Sequence, residues 1–312
     1  MHVVVTGAAG FLGSHLCDRL LQQNLMVTGV DNFITGTPKN IDHLVKNSNF
    51  SFHTADVINT IPVHSKVDRV YHLASPASPI DYIKLPFETM YVNSDGTRTA
   101  LELAKKNNAR FFLASTSEVY GDPKIHPQVE SYWGNVNPIG PRSVYDEGKR
   151  YAEALSMAYS RYLDVQVRII RIFNTYGPRM RHSDGRVIPT FITQALQKRP
   201  LTIFGDGLQT RSFCFVSDLI SGMTKLMESD LEVPCNIGNP HEVNMLTLAK
   251  EINRLTGNTA GIIHRPLPKD DPTRRKPDLT LAKEHLEFTP KVSFNQGIKR
   301  TIKWFEKVLM ES

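Results

Sequence analysis

The sequence is poor in cysteine and tryptophan and has no long hydrophobic run. It contains three Cys (Cys17, Cys214 and Cys235) and two Trp among 312 residues. An odd number of widely spaced cysteines in apolar stretches argues against a disulfide framework and predicts buried free thiols in a reducing compartment. No apolar run approaches the roughly 18 residues of a membrane span. The first residues lead into a strand pattern rather than a secretory signal. We therefore expect a cytoplasmic protein that does not enter the membrane.

The sequence also has no strong charge imbalance. Its 37 Lys and Arg residues against 31 Asp and Glu give a formal charge of +6, and the longest basic run is Arg274-Arg275-Lys276. Such a surplus fits a solvated surface, a nucleic-acid site or a site for an anionic small molecule. Basic residues interleaved with aromatic ones, which bind single strands, are absent. Nucleic acid is therefore not an expected partner.

Short β-branched runs alternate with amphipathic segments in the first half of the chain. Strands are predicted at residues 2–6, 26–30, 50–54, 67–74, 110–114 and 165–172. This alternation predicts an α/β fold with a Rossmann-type doubly wound parallel sheet. Beyond Gly177 the strand patterns at 201–204 and 235–238 are shorter and mixed with helices, which predicts a smaller C-terminal α/β lobe. The length is consistent with this division, because single cores stop growing near about 250 residues.

A glycine-rich turn follows the first predicted strand. Gly7, Gly10 and Gly13 lie directly before an amphipathic helix. Glycines there permit a tight turn and close backbone approach to a pyrophosphate, whose charge the helix N-terminus attracts. Asp31 ends the next strand, about 20 positions onward, where an acidic residue binds the adenosine ribose. Asp31 would repel a 2′-phosphate, so the pattern predicts NAD rather than NADP.

Small and polar residues follow later strands at the same edge of the sheet. Leu73, Ala74 and Ser75 end the fourth predicted strand and leave room for a cofactor. Asp56 follows the third strand, where it either meets the adenine or caps a helix. His72 is expected to be structural rather than catalytic. The alternation of strands and helices also predicts two domains. Residues 1–175 form a cofactor domain, to which part of 205–245 returns, and residues 176–312 form a mainly substrate-binding lobe.

A tyrosine and a lysine are separated by one helical turn. Tyr145 and Lys149 are at i and i+4 and therefore share a helix face, where the ammonium favours the phenolate form of the tyrosine. This spacing alone is common on helix surfaces. It gains weight from the hydroxyl residues Thr116 and Ser117 and from Glu118, which follow the fifth predicted strand.

These features together resemble the extended short-chain dehydrogenase/reductase family. The glycine turn, Asp31, Thr116, Tyr145 and Lys149 match the family fingerprint in order and spacing. Within the family, the chain resembles the UDP-glucuronate decarboxylase (UDP-xylose synthase) group over nearly its whole length. The segments that carry this resemblance are residues 73–79 (LASPASP), 114–122 (ASTSEVYGD), 137–142 (NPIGPR), 145–150 (YDEGKR), 171–179 (RIFNTYGPR) and 270–278 (DDPTRRKPD). Eukaryotic members of that group carry an N-terminal membrane anchor, whereas this sequence begins at the cofactor strand.

The resemblance implies a redox-neutral conversion of UDP-glucuronate to UDP-xylose with NAD. It implies Tyr145 as the base at the C4 hydroxyl, Thr116 on the C4 oxygen and Lys149 on the nicotinamide ribose. The implied cofactor contacts are Gly7, Gly10, Phe11, Leu12, Gly13, Asp31, Asn32, Phe33, Thr35, Gly36, Asp56, Val57, Leu73, Ala74, Ser75, Tyr145 and Lys149. The implied substrate contacts are Pro76, Glu118, Tyr145, Asn174, Arg186, Phe204, Gln209, Arg211 and Arg275.

The roles around the sugar carboxylate stay open at this point. The resemblance implies that Ser117, Glu118 and Arg275 surround the carboxylate and C5, yet related epimerases use a similarly placed arginine on the diphosphate. It also implies a homodimer through a four-helix interface formed by the helix at 96–105 and the helix that starts near Tyr145. No metal is expected, because the histidines lack ligand spacing with cysteines or carboxylates.

Four alternatives to the decarboxylase are less consistent with these residues. A dTDP-glucose-type 4,6-dehydratase usually has an Asp-Glu pair after the threonine, whereas this chain has Ser117-Glu118. A GDP-mannose-type dehydratase can share Thr-Ser-Glu, but the segments 73–79 and 270–278 argue against it. A 4-epimerase usually lacks the glutamate. A catalytically silent NAD-binding regulatory module is disfavoured by the complete set of candidate catalytic residues.

Overall fold

The computed structural model describes residues 1–266 and 274–310. The strands are β1 (His2–Thr6), β2 (Met26–Asp31), β3 (Phe50–Thr54), β4 (Arg69–His72), β5 (Arg110–Thr116), β6 (Val167–Ile172), β7 (Thr175–Tyr176), β8 (Leu201–Phe204), β9 (Thr210–Ser212), β10 (Cys214–Phe215), β11 (Cys235–Ile237), β12 (Glu242–Asn244), β13 (Ile262–Arg265) and β14 (Arg274–Arg275). Seven of them form one parallel sheet in the order β11-β6-β5-β4-β1-β2-β3. The predicted Rossmann-type doubly wound α/β sheet is thereby confirmed.

The helices pack on both faces of this sheet. They are α1 (Phe11–Gln22), α2 (Pro79–Lys84), α3 (Pro86–Tyr91), α4 (Thr97–Asn107), α5 (Ser143–Leu163), α6 (Val187–Leu196), α7 (Val216–Glu228), α8 (Met245–Thr256), α9 (Thr280–Leu286) and α10 (Phe294–Met310). A single turn of π-helix, Val92–Gly96, joins α3 to α4. Val3 and Val5 of β1 belong to the core on one face of the sheet, and Val4 belongs to the core on the other. This alternation follows from the two-residue period of a strand.

Several strand boundaries differ from the prediction: β6 begins at Val167 rather than at residue 165, and the differences in β4 and β5 follow from the strands beside them. The run predicted as a strand at 67–74 forms β4 only over Arg69–His72, since β1 ends opposite His72 at Thr6. Conversely, β5 continues past residue 114 to Thr116, which pairs with Ile172 of β6. The longer β5 carries Thr116 to the edge of the sheet.

The strand pattern at 235–238, grouped with the shorter strands of the smaller lobe, forms β11, the outermost strand of the main sheet, where Cys235 pairs with Ile170 and Ile237 with Ile172. This strand lies within 205–245, part of which is predicted to return to the cofactor domain. The chain therefore returns to the main sheet after leaving it. The smaller sheets in the described residues are β10-β7, β12-β9-β14 and β13-β8.

The three cysteines are buried and free, which confirms their predicted state. Within residues 1–266 and 274–310, no helix combines the length and the apolar character required to cross a membrane.

A buried carboxylate fastens the C-terminal segment to the main sheet domain. Asp218, in the first turn of α7, is 7% exposed. Its Oδ2 atom accepts hydrogen bonds from the backbone N–H groups of Lys291 and Val292, both at 2.9 Å. These bonds fix the turn that precedes α10.

We predict that Asp218→Asn lowers the free energy of unfolding by about 1 to 3 kcal/mol, because a neutral amide oxygen replaces a charged acceptor of two buried N–H groups. Urea denaturation followed by circular dichroism measures this change. An unchanged unfolding midpoint and slope would contradict the assigned role of Asp218.

Candidate active site

A cavity of about 670 Å³ lies along the carboxyl ends of the parallel strands. This edge of an open α/β sheet is where such folds bind ligands, and the volume lies within the usual range for small-molecule pockets. The turn after β1, the end of β2, the segment after β4, the end of β5 and the start of α5 all line it. The predicted cofactor and substrate residues therefore converge on one continuous cavity.

Two glycines of the turn after β1 are required by close backbone packing. Gly7 has a φ of +71°, and a Cβ atom there would lie 2.8 Å from the backbone N of Ala74. A Cβ atom at Gly13 would lie 2.0 Å from the carbonyl oxygen of Gly7. Helix α1 begins at Phe11, with Gly10 at its N-cap and no capping side chain. The unpaired N–H groups of its first turn form the positive end of the helix dipole, which suits a pyrophosphate.

Asp31 is held in place by the backbone around it. It is 8% exposed, its Oδ2 accepts a hydrogen bond from the Ala9 N–H at 3.0 Å, and its Oδ1 accepts one from the Phe33 N–H at 2.8 Å. Burial raises the pKa of Asp31, and these N–H groups act against that rise. Each carboxylate oxygen keeps a further lone pair that a ribose hydroxyl can use. The turn and Asp31 together fit an adenosine dinucleotide such as NAD.

Two residues of the predicted cofactor set do not line the cavity that the described residues enclose. Phe33 has a φ of 61° and packs its ring against Phe52, with centroids 5.3 Å apart. A Cβ atom at Gly36 would lie 3.0 Å from the Oδ1 atom of Asp31. Both residues therefore contact the Asp31 carboxylate through their backbone rather than facing the cavity. Their left-handed or crowded backbone could not be read from the sequence pattern.

The other predicted cofactor residues line the cavity, namely Phe11, Leu12, Asn32, Thr35, Asp56, Val57, Leu73, Ala74 and Ser75. The Oδ1 atom of Asp56 also accepts a hydrogen bond from the Ile58 N–H at 3.0 Å, which stabilises a turn rather than a helix N-terminus. His72 is buried, with its Nδ1 2.8 Å from Thr6 Oγ1, and burial lowers its pKa. It is a structural residue, as predicted.

Tyr145 lies in the first turn of α5 and is 6% exposed. Interaction with the Thr116 side chain acts to lower the pKa of its hydroxyl. Its ring stacks on that of Tyr82, with centroids 5.1 Å apart and planes 7° apart. Burial, reinforced by the charge of Glu118, raises the pKa of Tyr145. The lowering of this pKa by the Lys149 ammonium and the nicotinamide stays a prediction.

Lys149 is the second member of the predicted pair. Its Nζ atom donates to the Ala114 carbonyl oxygen at 2.9 Å and lies 5.8 Å from the centroid of the Tyr145 ring. Burial lowers the pKa of Lys149 to about 7, and the charge of Glu153 opposes that shift. The predicted proximity of ammonium and phenol is confirmed.

Glu118 lies between two guanidinium groups. Arg142 Nη2 donates to its Oε2, and Arg275 Nη1 donates to its Oε1 at 3.0 Å. Burial alone would raise the pKa of Glu118, but the two positive charges and their hydrogen bonds lower it to about 2. The carboxylate therefore stays ionised at neutral pH. Ser117 and Pro76 line the same part of the cavity.

Arg275 is brought to this place by β14, which pairs with β9. It is 6% exposed. The predicted motif at 270–278 is described only from Arg274 onward; Asp270, Asp271, Pro272 and Thr273 lie outside the described residues.

The other end of the cavity is lined by the remaining predicted substrate residues: Asn174, Arg186, Phe204, Gln209 and Arg211. Arg186 is paired with Asp184 through Nε to Oδ1 at 2.5 Å and Nη2 to Oδ2 at 2.8 Å. The Nε2 atom of Gln209 donates to the Phe204 carbonyl oxygen at 2.7 Å. Arginine side chains here give this end donors suited to phosphate oxygens.

Sequence reasoning assigned no role to three residues of the site, Tyr82, Arg142 and Asp146. Arg142 and Asp146 lie within the segments that resemble the family (137–142 and 145–150). The resemblance therefore marked their positions but gave neither residue a chemical role. Tyr82 offered none, because its contact with Tyr145 joins two helices that are distant in sequence.

Comparison with known proteins places this geometry in a family. The model of the NAD dependent epimerase/dehydratase family matches residues 3–238. The chain belongs to this family. It is 55% identical to UDP-glucuronic acid decarboxylase 2 of Arabidopsis thaliana over 98% of this chain and 68% of that protein. It is 50% identical to UDP-glucuronic acid decarboxylase 1 of Xenopus tropicalis over 98% of this chain and 72% of that protein.

Solved structures of the same family share its fold. UDP-glucuronic acid 4-epimerase from Bacillus cereus, in complex with UDP-glucuronic acid and NAD, is 31% identical with a TM-score of 0.89, over 99% of this chain and 100% of that one. UDP-glucose 4-epimerase from Thermotoga maritima, with UDP-glucose, is 29% identical with a TM-score of 0.91, over 99% of this chain and 100% of that one. The predicted family resemblance and NAD dependence are confirmed.

We predict that Asp31→Ala weakens NAD binding about 10- to 100-fold, since it removes charged acceptors for a ribose diol worth roughly 1.5 to 3 kcal/mol. Discrimination against NADP should also fall, because the repulsion of a 2′-phosphate is lost. Isothermal titration of the wild type and the variant with both dinucleotides measures the two effects. Equal NAD affinity in the variant would contradict the assignment of Asp31.

Proposed function

We propose that this chain is an NAD-dependent UDP-glucuronate decarboxylase that releases carbon dioxide and UDP-xylose. The observation that carries the proposal is the Glu118 carboxylate, held by Arg142 and Arg275 beside the Tyr145 hydroxyl at the sheet edge. An arginine and a glutamate beside the C4 base suit a substrate that bears a carboxylate at C5. Identity of 55% and 50% to proteins named UDP-glucuronic acid decarboxylase supports it.

The reaction needs a temporary ketone at C4. A carboxylate at C5 is β to that ketone, so the electrons released with carbon dioxide enter an enolate. Bound NAD supplies the redox chemistry by accepting the C4 hydride and later returning it. The balance is one UDP-glucuronate and one proton consumed, with one UDP-xylose and one carbon dioxide formed.

Tyr145 moves the proton at the C4 oxygen. It takes that proton as C4 is oxidised and returns it as C4 is reduced, so the residue ends each turnover unchanged. Thr116, which interacts with Tyr145, hydrogen-bonds the C4 oxygen. Lys149, anchored to the Ala114 carbonyl oxygen, holds the nicotinamide ribose and adds positive charge near the phenol.

Arg275 orients the C5 carboxylate, and Glu118 limits how strongly Arg275 binds it. An unpaired guanidinium would stabilise the localised charge of the ground state more than the dispersed charge of the enolate. Pairing Arg275 with Glu118 at 3.0 Å reduces this ground-state stabilisation. Ser117 contributes a hydroxyl beside the same carboxylate.

The other half of the cavity receives the nucleoside diphosphate. Arg186, Arg211 and Asn174 bind the diphosphate, and Phe204 and Gln209 contact the uridine. Residues 1–175 hold NAD, and residues 176–312 mainly hold the UDP-sugar, except where β11 rejoins the main sheet.

The active form is a homodimer that packs through α4 and α5 to give four helices. Large apolar side chains that are exposed on the adjoining surface support this: Phe87 (68%), Tyr91 (52%), Tyr151 (52%) and Tyr162 (80%). Burying such a patch in a partner contact accounts for its size. Three buried free thiols suit a reducing compartment, and we propose the cytoplasm.

The decisive assay is incubation of the protein with UDP-glucuronate and NAD, followed by carbon dioxide measurement and proton NMR of the nucleotide sugars. We expect UDP-xylose and carbon dioxide in equal amounts without net accumulation of NADH. Tyr145→Phe is the matched control: it keeps the ring that stacks on Tyr82 and should retain NAD binding, but lose about 10²- to 10⁴-fold in turnover.

Conversion of UDP-glucuronate to UDP-galacturonate would instead identify a 4-epimerase. Absence of any product with NAD bound would identify a silent binding module. Full turnover by Tyr145→Phe would remove that residue as the base.

A further inference from the structure

Gln128 is a buried residue whose four polar groups all form hydrogen bonds. It is 1% exposed and does not line the cavity that the described residues enclose. Its backbone N–H donates to the Lys276 carbonyl oxygen at 2.9 Å, and its Oε1 atom accepts from the Lys276 N–H at 2.8 Å. Its carbonyl oxygen accepts from the Asp278 N–H at 2.8 Å, and its Nε2 atom donates to the Ile125 carbonyl oxygen at 2.8 Å. One residue therefore holds the segment that contains both Lys276 and Asp278.

That segment directly follows Arg275. β14, which carries Arg275, is two residues long and pairs with β9. A strand this short has few hydrogen bonds to its neighbour, so the residues after it contribute to where Arg275 lies. Lys276 is the next residue, and consecutive Cα atoms are a fixed distance of about 3.8 Å apart. Movement of the Lys276 backbone therefore moves Arg275, and the two hydrogen bonds to Gln128 oppose such movement.

A chain of buried hydrogen bonds also joins Gln128 to the segment that carries Glu118. Tyr120 ends the short 3-10 turn that contains Glu118. The Tyr120 hydroxyl donates to Asn236 Oδ1 at 2.8 Å, and Asn236 Nδ2 donates to the Gln128 carbonyl oxygen at 3.0 Å. Tyr120 and Asn236 are 1% and 0% exposed. Gln128 is thus connected to both members of the ion pair between Glu118 and Arg275.

We propose that Gln128 is a positioning residue that fixes the Arg275 guanidinium at the C5 carboxylate of the substrate. This inference rests on the proposed function. Gln128 touches no reacting atom and acts through the backbone at Lys276. A guanidinium matches a carboxylate only in a narrow range of positions. A displacement of about 1 Å can lower a rate about 10²-fold.

Gln128→Met keeps the length of the side chain and removes both of its hydrogen bonds. We expect kcat/KM for UDP-glucuronate to fall about 10- to 100-fold, because the Arg275 guanidinium is no longer fixed. The inhibition constant of UDP-glucose, which has no C5 carboxylate, should change less than about twofold, since its contacts lie elsewhere. Steady-state assays of carbon dioxide release, with and without UDP-glucose, measure both quantities.

A double-mutant cycle separates this role from a general loosening of the fold. On an Arg275→Ala background, Gln128→Met should change kcat/KM less than about twofold, because no guanidinium is left to position. A role in the fold as a whole would instead give the same loss in both backgrounds.

Asn258→Leu is the matched control. Asn258 is also a buried amide, 6% exposed, and does not line the cavity formed by the described part of the chain. Its Nδ2 atom donates to the Arg199 carbonyl oxygen at 3.0 Å, and its Oδ1 atom accepts from the Ala260 N–H at 3.2 Å. Its replacement should lower stability and leave kcat/KM for UDP-glucuronate unchanged.

Gln128→Glu tests the same hydrogen bonds in a second way. As the neutral acid, the new side chain accepts from the Lys276 N–H and donates its O–H to the Ile125 carbonyl oxygen; as the carboxylate, it has no donor. Its kcat/KM relative to the wild type at the same pH should therefore be near one at low pH. The ratio should fall as pH rises through the pKa of the new carboxyl, which burial raises.

Three results would overturn the inference. One is wild-type kcat/KM in folded Gln128→Met, and another is an equal loss of kcat/KM and of UDP-glucose binding. The third is the same loss on the Arg275→Ala background. If Gln128→Met does not fold, a Gln128→Glu ratio that does not change with pH also overturns it. Failure of the proposed function is distinct, because the wild type would then release no carbon dioxide from UDP-glucuronate.

Discussion

The contact between β5 and α5 is the constraint on which the rest of the site depends. Tyr145, Lys149 and Glu153 are spaced at i, i+4 and i+8 on α5, and each is joined to a different residue of β5. Tyr145 interacts with the Thr116 side chain, Lys149 donates to the Ala114 carbonyl oxygen at 2.9 Å, and Glu153 accepts from the Ser115 hydroxyl at 2.6 Å. A helix face matched to a strand end in this way leaves little freedom for the tyrosine. The same contact fixes where the C4 atom of a sugar must lie.

Burial determines the electrostatics of this contact. It raises the pKa of Tyr145 and lowers that of Lys149 to about 7, so it acts against the charged form of both side chains. Glu118 is the exception. Two guanidinium groups stabilise its carboxylate by more than burial destabilises it, so its pKa is lowered. The free energy needed to remove these charged groups from water is offset by the ion pairs and hydrogen bonds between them. A permanent anion is thereby placed beside a permanent cation, Arg275, where the proposed substrate presents its own carboxylate.

Sequence patterns predicted what depends on local periodicity and spacing. The alternation of strands and helices, the glycine turn, Asp31 and the Tyr145–Lys149 spacing each describe a short stretch of chain, and the structure places them as predicted. A return of part of 205–245 to the cofactor domain was predicted, but not which strand returns, because a short strand after a long excursion has the same pattern in either lobe. The role of Tyr82 depends on a stacking contact across two helices. The pKa of Glu118 depends on burial between two guanidinium groups, which no pattern of residue types reports.

The source of the hydrogen atoms at C4 and C5 of the product tests the proposed reaction most directly. The wild-type protein would be run with UDP-glucuronate and NAD in deuterium oxide, and the product sugar analysed by NMR and mass spectrometry. The account predicts UDP-xylose with one deuterium at C5 and ordinary hydrogen at C4, because C5 takes its proton from solvent and C4 regains its own hydride. Deuterium at C4, or a six-carbon sugar product that keeps its carboxylate, would contradict it.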